Sequence, residues 1–170
     1  MKTQALHPSP IGDLTLVAED GVLVGLYMTD QRHLPLIDAP RDDRAVPAVR
    51  EQLTAYFAGE LAEFSLPLRL TGSPFQQAVW DRLRQIPYGQ TWTYGQLASA
   101  IGRPSASRAV GLANGRNPIS VIVPCHRVVG TKGLTGYGGG LARKQHLLDL
   151  EQRCLRLAAC SPRTRSTSGS

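Results

Sequence analysis

The stretch Ser120-Val-Ile-Val-Pro-Cys-His-Arg-Val-Val129 places a cysteine and a histidine side by side, directly after an apolar run. The apolar residues predict a buried strand that ends at Cys125. A thiol becomes a good nucleophile when an imidazole or a cation lowers its pKa, and His126 and Arg127 are neighbours of that kind. From this segment alone, a reactive cysteine and a small buried core residue are about equally well supported.

Charge is distributed unevenly along the chain. Residues 1–72 carry six Lys and Arg against ten Asp and Glu, whereas residues 73–160 carry eleven against three, within a formal net charge of +6. A basic region of this kind is the electrostatic signature of nucleic-acid binding. A generally basic surface is the alternative, but the acidic first half argues against it. The sequence therefore predicts that a polyanion binds the C-terminal part.

Helices are predicted upstream of the cysteine by their caps. Ser73-Pro-Phe-Gln76 has a serine cap, a proline at the first helical position and a glutamine at the capping-box position, and predicts a helix to about Gln85. Thr93-Tyr-Gly-Gln96 repeats this spacing before a helix that ends near Ile101. Another helix, Ser105–Ala113, follows after a short turn. Two helices joined in this way form a helix-turn-helix.

The second helix of this pair offers small side chains, among them Ala106, Ser107 and Ala109. Such a helix suits close approach to a DNA backbone or a narrow groove better than the reading of base edges. Tight packing inside a protein core is the alternative explanation for small residues.

The acidic first half predicts an α/β scaffold. Alternating apolar residues in 11–29 predict two strands around an Asp-Gly turn, and residues 31–45 form a loop. Pro47 then opens a helix through Ala58, and Phe64–Leu70 is a candidate strand. We find no cluster of catalytic residue types here.

Downstream of the cysteine, a glycine-rich loop precedes a helix of about Leu141–Leu155 that carries Glu151 among apolar residues. Adjacent side chains diverge, so we expect a bridging water to carry the thiol proton from Cys125 to His126. Glu151 is the candidate by residue type to orient the imidazole, although an exposed helix glutamate is the commoner case. Residues 161–170 are predicted to be a disordered tail.

Four motifs occur in one unbroken order: Ser107-Arg-Ala-Val-Gly111, Asn117-Pro118, Pro124-Cys-His-Arg-Val128, and Tyr137 with a glycine run. In these motifs the chain resembles the O6-alkylguanine-DNA alkyltransferase family over about Ser73–Glu151. The resemblance implies an α/β, ribonuclease H-like domain at 1–72, which the first half matches more loosely. It implies a mainly α domain with a winged helix-turn-helix at 73–160.

The resemblance also implies catalytic roles. Cys125 would accept the alkyl group, His126 would act as base through water, and Glu151 would polarise the imidazole. Asn117 would brace the turn, and Tyr94 would hydrogen-bond the departing guanine and rotate a DNA phosphate.

Other residues would contact the DNA and the base. Arg108 would enter the stack in place of the everted nucleotide, with the helix bearing Ala106, Ser107 and Ala109 in the minor groove. The base pocket would be lined by Val128, Tyr137, Gly138 and Gly139. Gly138 stands where some relatives carry a hydroxyl-bearing residue, which leaves the range of alkyl groups open.

The implied activity is stoichiometric repair of duplex DNA that carries O6-alkylguanine, with O4-alkylthymine as a further substrate. Attack by sulfur leaves a thioether, which has no carbonyl for water to attack, so we predict a single turnover. No cofactor is expected. No metal is expected either, because residues 1–72 lack cysteine and hold only His7 and His33, which cannot form the zinc site of some relatives.

The implied protein is a cytoplasmic monomer that does not bind membranes and that clusters, if at all, on DNA. Three cysteines without a CxxC pair argue against a disulfide framework. The chain start lacks a signal-peptide core.

Two other classes of protein compete with this interpretation. A noncatalytic winged-helix protein that senses damaged DNA would not need Cys125 beside His126. A cysteine hydrolase would need a separate histidine with an Asn or Asp partner, and it would leave the helix-turn-helix unexplained.

Overall fold

The computed structural model describes residues 2–131, 137 and 140–157. The predicted tail, Gly138, Gly139 and Cys160 lie outside the described residues. The strands of the sheet come first in the chain and most helices follow. In chain order the elements are β1 (Lys2–His7), β2 (Leu14–Glu19), β3 (Val22–Met28), α1 (Pro47–Phe57), α2 (Pro74–Leu83), β4 (Trp92–Thr93), α3 (Tyr94–Ala100), α4 (Ser107–Gly115), a 3-10 turn (Cys125–Arg127), β5 (Val128–Val129) and α5 (Leu141–Leu157).

The N-terminal sheet is antiparallel with the order β1-β2-β3. Its β2-β3 hairpin turns at Asp20 and Gly21, whose φ angles of 53° and 82° are both positive, as a tight two-residue hairpin turn requires. This confirms the predicted hairpin. The sequence did not predict β1, which pairs with β2 from Lys2 opposite Glu19 to His7 opposite Leu14.

The predicted strand at Phe64–Leu70 is wrong. In this segment only Leu68 forms a β-bridge, to Leu23, between the bonds from the Leu23 amide to Pro67 O and from the Arg69 amide to Leu23 O. Pro67 lacks an N–H group, so the ladder cannot extend on the N-terminal side of this bridge. The segment is extended and half-buried, which explains its strand-like alternation in the sequence.

The predicted helix caps are confirmed. Ser73 Oγ accepts from the Gln76 amide at 3.1 Å while Gln76 Oε1 accepts from the Ser73 amide at 2.9 Å, and Thr93 and Gln96 form the same reciprocal pair. Helix α4 begins at Ser107, two residues later than predicted. Helices α3 and α4 pack on each other and on α2 as the helix-turn-helix. Strands β4 and β5 form a short parallel pair beside them.

One hydrophobic core serves both halves. The buried residues Leu53 and Tyr56 of α1 belong to the same cluster as Trp80 and Leu83 of α2 and Leu147 of α5. The edge of β3 also binds the segment that leads to the cysteine. Leu26 donates to Pro118 O at 2.9 Å and accepts from the Ser120 amide at 3.3 Å. The sheet therefore positions the chain just before Cys125. In the part of the chain that the structure describes, no helix is both long and apolar enough to cross a bilayer.

Candidate active site

The apolar run before Cys125 is not the predicted strand. It forms consecutive tight turns, in which the Val123 amide binds Ile119 O at 3.0 Å and the Cys125 amide binds Val123 O at 2.8 Å. Val121 has a φ of 71°, a conformation that β-branched residues rarely adopt. The run is apolar because it is buried on all sides, and burial alone does not distinguish a strand from a coil.

Asn117 holds these turns in place. Its buried side chain donates to Val123 O at 2.8 Å and accepts from the Ile119 amide at 3.0 Å. The side-chain amide thus satisfies one donor and one acceptor of a backbone that has no ladder partner for them. Asn114 adds a longer bond of 3.4 Å to Cys125 O. Asn117 therefore hydrogen-bonds to two points of this turn, and its bracing role, which the resemblance implies, stays a prediction.

Cys125 is buried, with 4% of its surface exposed, and lies at the start of the 3-10 turn. Burial raises the pKa of its thiol, whereas hydrogen-bonding groups on Asn117, Tyr137 and Ser120 and the charge of Lys144 act to lower it. Desolvation wins, so the thiol is protonated at rest. The sequence had suggested a site built around a thiolate. In the structure, the nearby Arg127 forms an ion pair with Glu151 instead.

His126 points away from solvent and binds Glu151. Its Nε2 lies 2.8 Å from Glu151 Oε2, and both side chains are fully buried. Burial lowers the pKa of His126 despite the attraction of Glu151, so the imidazole is neutral at neutral pH. A carboxylate oxygen needs a donor, which places the proton on Nε2 and the lone pair on Nδ1. Among the described residues, Nδ1 has no hydrogen-bond partner.

Glu151 is the centre of the buried network. Its Oε1 accepts from Arg127 Nε at 2.8 Å and from the Gly89 amide at 3.1 Å. Its Oε2 accepts from Tyr56 Oη at 2.6 Å, from His126 Nε2 and from Arg127 Nη2 at 3.0 Å. Burial acts to raise the pKa of Glu151, but His126 and Arg127 outweigh it and hold that pKa well below its usual range. The carboxylate is therefore ionised.

Two buried side chains near the site were not predicted. Tyr56 comes from α1 of the acidic half, 95 residues away from Glu151. Lys144 lies on α5 with its side chain fully buried, and its Nζ donates to Val128 O at 2.6 Å. Burial lowers the pKa of Lys144 to about 8, while Cys125 acts to raise it. In the sequence, a helical lysine or a core tyrosine carries no signal of such a role.

A cleft of about 190 Å³ gives access to the thiol. The buried residues Cys125, Ser120 and Tyr137 line it, and so do Tyr94 and the α4 residues Gly111 and Leu112. The loop residues Gln31–His33 of the acidic half contribute a further wall that the sequence did not predict. The cleft thus joins the cysteine to the helix-turn-helix.

The remaining predicted residues occupy three settings. Arg108 and Ala109 are exposed on α4, whereas Ala106 and Ser107 are half-buried. Tyr94 is half-buried at the start of α3, and a Cβ on Gly111 would meet its ring at 3.7 Å. Val128 is fully buried in β5 and is not among the described residues that line the cleft.

The described residues hold no group of three or more His, Cys, Asp or Glu side chains that would bind a metal ion. The chemistry that this site can perform on its own is proton removal from a thiol by a neutral imidazole. The imidazole is held in one tautomer by a buried carboxylate.

Two family matches together span most of the chain. The ribonuclease-like domain of 6-O-methylguanine DNA methyltransferase matches residues 3–70, and the DNA-binding domain of the same family matches residues 74–153. A methylated-DNA–protein-cysteine methyltransferase of Mycolicibacterium paratuberculosis is 58% identical over 147 residues, which are 85% of this chain and 89% of that relative. A protein of the same name from Methanosarcina acetivorans is 48% identical over 153 residues, covering 88% and 98% of the two chains.

The fold also matches a solved structure. The crystal structure of Mycobacterium tuberculosis OGT in complex with DNA is similar with a TM-score of 0.87 and 52% identity. The similarity covers 89% of this chain and 93% of that one.

Proposed function

The chain belongs to the 6-O-methylguanine DNA methyltransferase family and repairs DNA by transferring the alkyl group of O6-alkylguanine to a cysteine, and we propose that Cys125 is the acceptor. The observation that carries this assignment is that Cys125 lines the cleft beside a histidine whose tautomer is fixed by Glu151. Cys154 is also buried, but it lies on α5 and is not among the cleft residues.

In the proposed mechanism, His126 Nδ1 accepts the thiol proton through a water molecule. The thiolate attacks the alkyl carbon, the new S–C bond forms as the C–O6 bond breaks, and the electron pair of that bond leaves with guanine. Tyr94 gives the departing base a hydrogen bond or the proton that it needs. Lys144 stabilises the thiolate by its charge, and Asn117 keeps the turn in place.

The product explains why the protein acts once. A thioether offers water no carbonyl carbon, so sulfur retains the alkyl group and each molecule repairs one lesion. This transfer of an alkyl group to sulfur requires no cofactor. O4-alkylthymine presents the same alkyl–oxygen bond and is a proposed second substrate.

DNA is proposed to bind along the helix-turn-helix. Arg108 is exposed on α4 and would fill the gap left by the everted nucleotide, and the small side chains of Ala106, Ser107 and Ala109 would allow close approach. Taking the base out of the stack costs a few kcal/mol, and phosphate contacts from the basic half would offset that cost. Tyr137, with Val128, Gly138 and Gly139, is proposed to surround the base.

Residues 1–72 and 73–160 are proposed as two domains, although Tyr56 of the first completes the site in the second. The protein is proposed to act as a monomer that clusters only on DNA. The cytoplasm is its proposed location, since a reactive thiol needs a reducing compartment.

Mass spectrometry tests the acceptor assignment. Limiting protein is incubated with a duplex that contains O6-methylguanine and is then weighed. We expect one added methylene per molecule, saturating at one equivalent and located on the peptide that carries Cys125. Cys125→Ser should bind the duplex without any mass change, and the matched variant Cys154→Ser should react like the parent protein. Methylation on another residue, or undiminished repair by Cys125→Ser, refutes the assignment.

A further inference from the structure

Leu112 is an unusual residue for its position. It is 70% exposed, on a helix whose other exposed residues are small or, in the case of Arg108, charged. Apart from Leu112, Val110 is the one apolar side chain of α4 that is larger than alanine, and it is fully buried. A single exposed leucine is ordinary on a protein surface, so its exposure alone decides nothing.

The surroundings of Leu112 make it informative. It lies four residues after Arg108, so the two side chains project from the same face of α4, one turn apart. It also lines the cleft that contains Cys125 and Tyr94. Gly111 and Gly115 lie on either side along the helix and add no side chain that would keep a ligand at a distance. Leu112 is thus the one bulky apolar group that α4 presents at the cleft.

Apolar side chains placed against the minor groove have a known physical effect. Leucine, like other apolar wedges, packs between base steps or on sugars and favours an unstacked duplex. The arginine one turn earlier offers charge and hydrogen bonds but little compact apolar surface. Arg108 and Leu112 would therefore supply different contacts to the gap that the everted nucleotide leaves in the duplex.

We propose that Leu112 is a positioning residue that packs on the sugar and base edge of the nucleotide flanking the everted one and keeps the duplex open beside Arg108. The inference rests on the proposed function, because it requires α4 to face the DNA. It assigns Leu112 no contact with the reacting atoms. The residue should therefore matter for a lesion in a duplex and not for a lesion that is already unstacked.

The test compares transfer rates, at protein concentrations below saturation, from O6-methylguanine in a duplex and in a short single strand. Leu112→Ala should slow transfer from the duplex by about tenfold, since it removes roughly two buried methylene equivalents from the contact. The single-strand rate should stay unchanged. Leu112→Met, which keeps the apolar volume, should restore most of the duplex rate.

Leu36→Ala is the matched control, because Leu36 is 97% exposed and is not among the cleft residues. It should leave both rates unchanged, and all three variants should melt with the parent protein. An equal loss on both substrates, or no loss on the duplex, overturns the proposal. Failure of the parent protein to methylate itself on either substrate would instead contradict the proposed function.

A second readout uses 2-aminopurine placed beside the lesion, with Cys125→Ser to hold the complex before reaction. Its fluorescence rises when the base unstacks. We expect a smaller rise when Leu112→Ala is added to Cys125→Ser, at saturating protein. An undiminished rise would also overturn the proposal.

Discussion

Glu151→Gln is the perturbation whose consequences the structure defines most fully. The carboxylate accepts five hydrogen bonds, and glutamine supplies one oxygen and one NH₂ group in its place. An NH₂ group at the Oε1 position would face Arg127 Nε and the Gly89 amide, neither of which accepts a hydrogen bond. At the Oε2 position it would face Tyr56 and His126, which can accept, and Arg127 Nη2, which cannot. The second orientation is therefore favoured.

Two effects follow from that orientation. Arg127 loses its buried counter-ion, and breaking such a pair by removing one partner destabilises a protein by about 3–5 kcal/mol. For a chain of this size the melting temperature should then fall by roughly 6–20 °C. His126 must now accept at Nε2, so its proton moves to Nδ1 and the base function is lost. Transfer should slow by about 10²- to 10⁴-fold, the usual contribution of a general base.

Thermal unfolding measures the effect on stability. Single-turnover transfer from an O6-methylguanine duplex, at a temperature well below the melting temperature of the variant, measures the effect on the base. Glu51→Gln, at an exposed position of α1, is the matched control and should shift neither quantity measurably. A Glu151→Gln protein that melts within a degree of the parent and transfers at the parent rate would refute the network as the source of stability and of the active tautomer.

Three other outcomes are expected. Asn117→Ala should lower the free energy of unfolding by about 1–3 kcal/mol in urea titrations, because it leaves the buried Ile119 amide without an acceptor and removes one of the two hydrogen bonds to Val123 O; an unchanged midpoint would contradict its bracing role. The transfer rate should stay level from pH 7 down to 6.5, where Lys144 is mostly protonated and burial keeps His126 mostly neutral by lowering its pKa, and a half-fall at or above pH 6.5 would exclude that neutral base. Lys144→Met should shift the pH dependence of the rate of Cys125 alkylation by iodoacetamide to higher pH, because the charge of Lys144 lowers the pKa of the thiol, and Lys144→Arg should lie closer to the parent protein. An unchanged pH dependence would exclude electrostatic help from Lys144.

Features set by neighbouring residues were predictable from the sequence. The caps at Ser73 and Thr93 and the Asp20-Gly21 turn depend on groups within three or four positions, so residue type and spacing decided them. Cys125 and His126 were recognisable because the motif that contains them is contiguous. Glu151 was the candidate partner by residue type, and the structure brings it to His126.

Features that depend on distant contacts were not predictable. The chain before Cys125 looks like a strand by composition, but its conformation follows from Asn117 and from the edge of β3. Tyr56 reaches Glu151 only because α1 and α5 both contribute to the one shared core. The acidic half was interpreted as scaffold for the same reason, since no local pattern marks a buried tyrosine as a hydrogen-bond donor to a site elsewhere.

The carboxylate of Glu151 also determines when the protein becomes competent during its synthesis. It is the last member of its network to leave the ribosome, after Tyr56, Gly89, His126 and Arg127 have been made. Until α5 docks, Arg127 has no anion and His126 no acceptor for Nε2–H. A nascent chain can therefore form the N-terminal sheet and carry its cysteine with the base still unoriented, and translation must run through α5 before the protein can be consumed by a lesion.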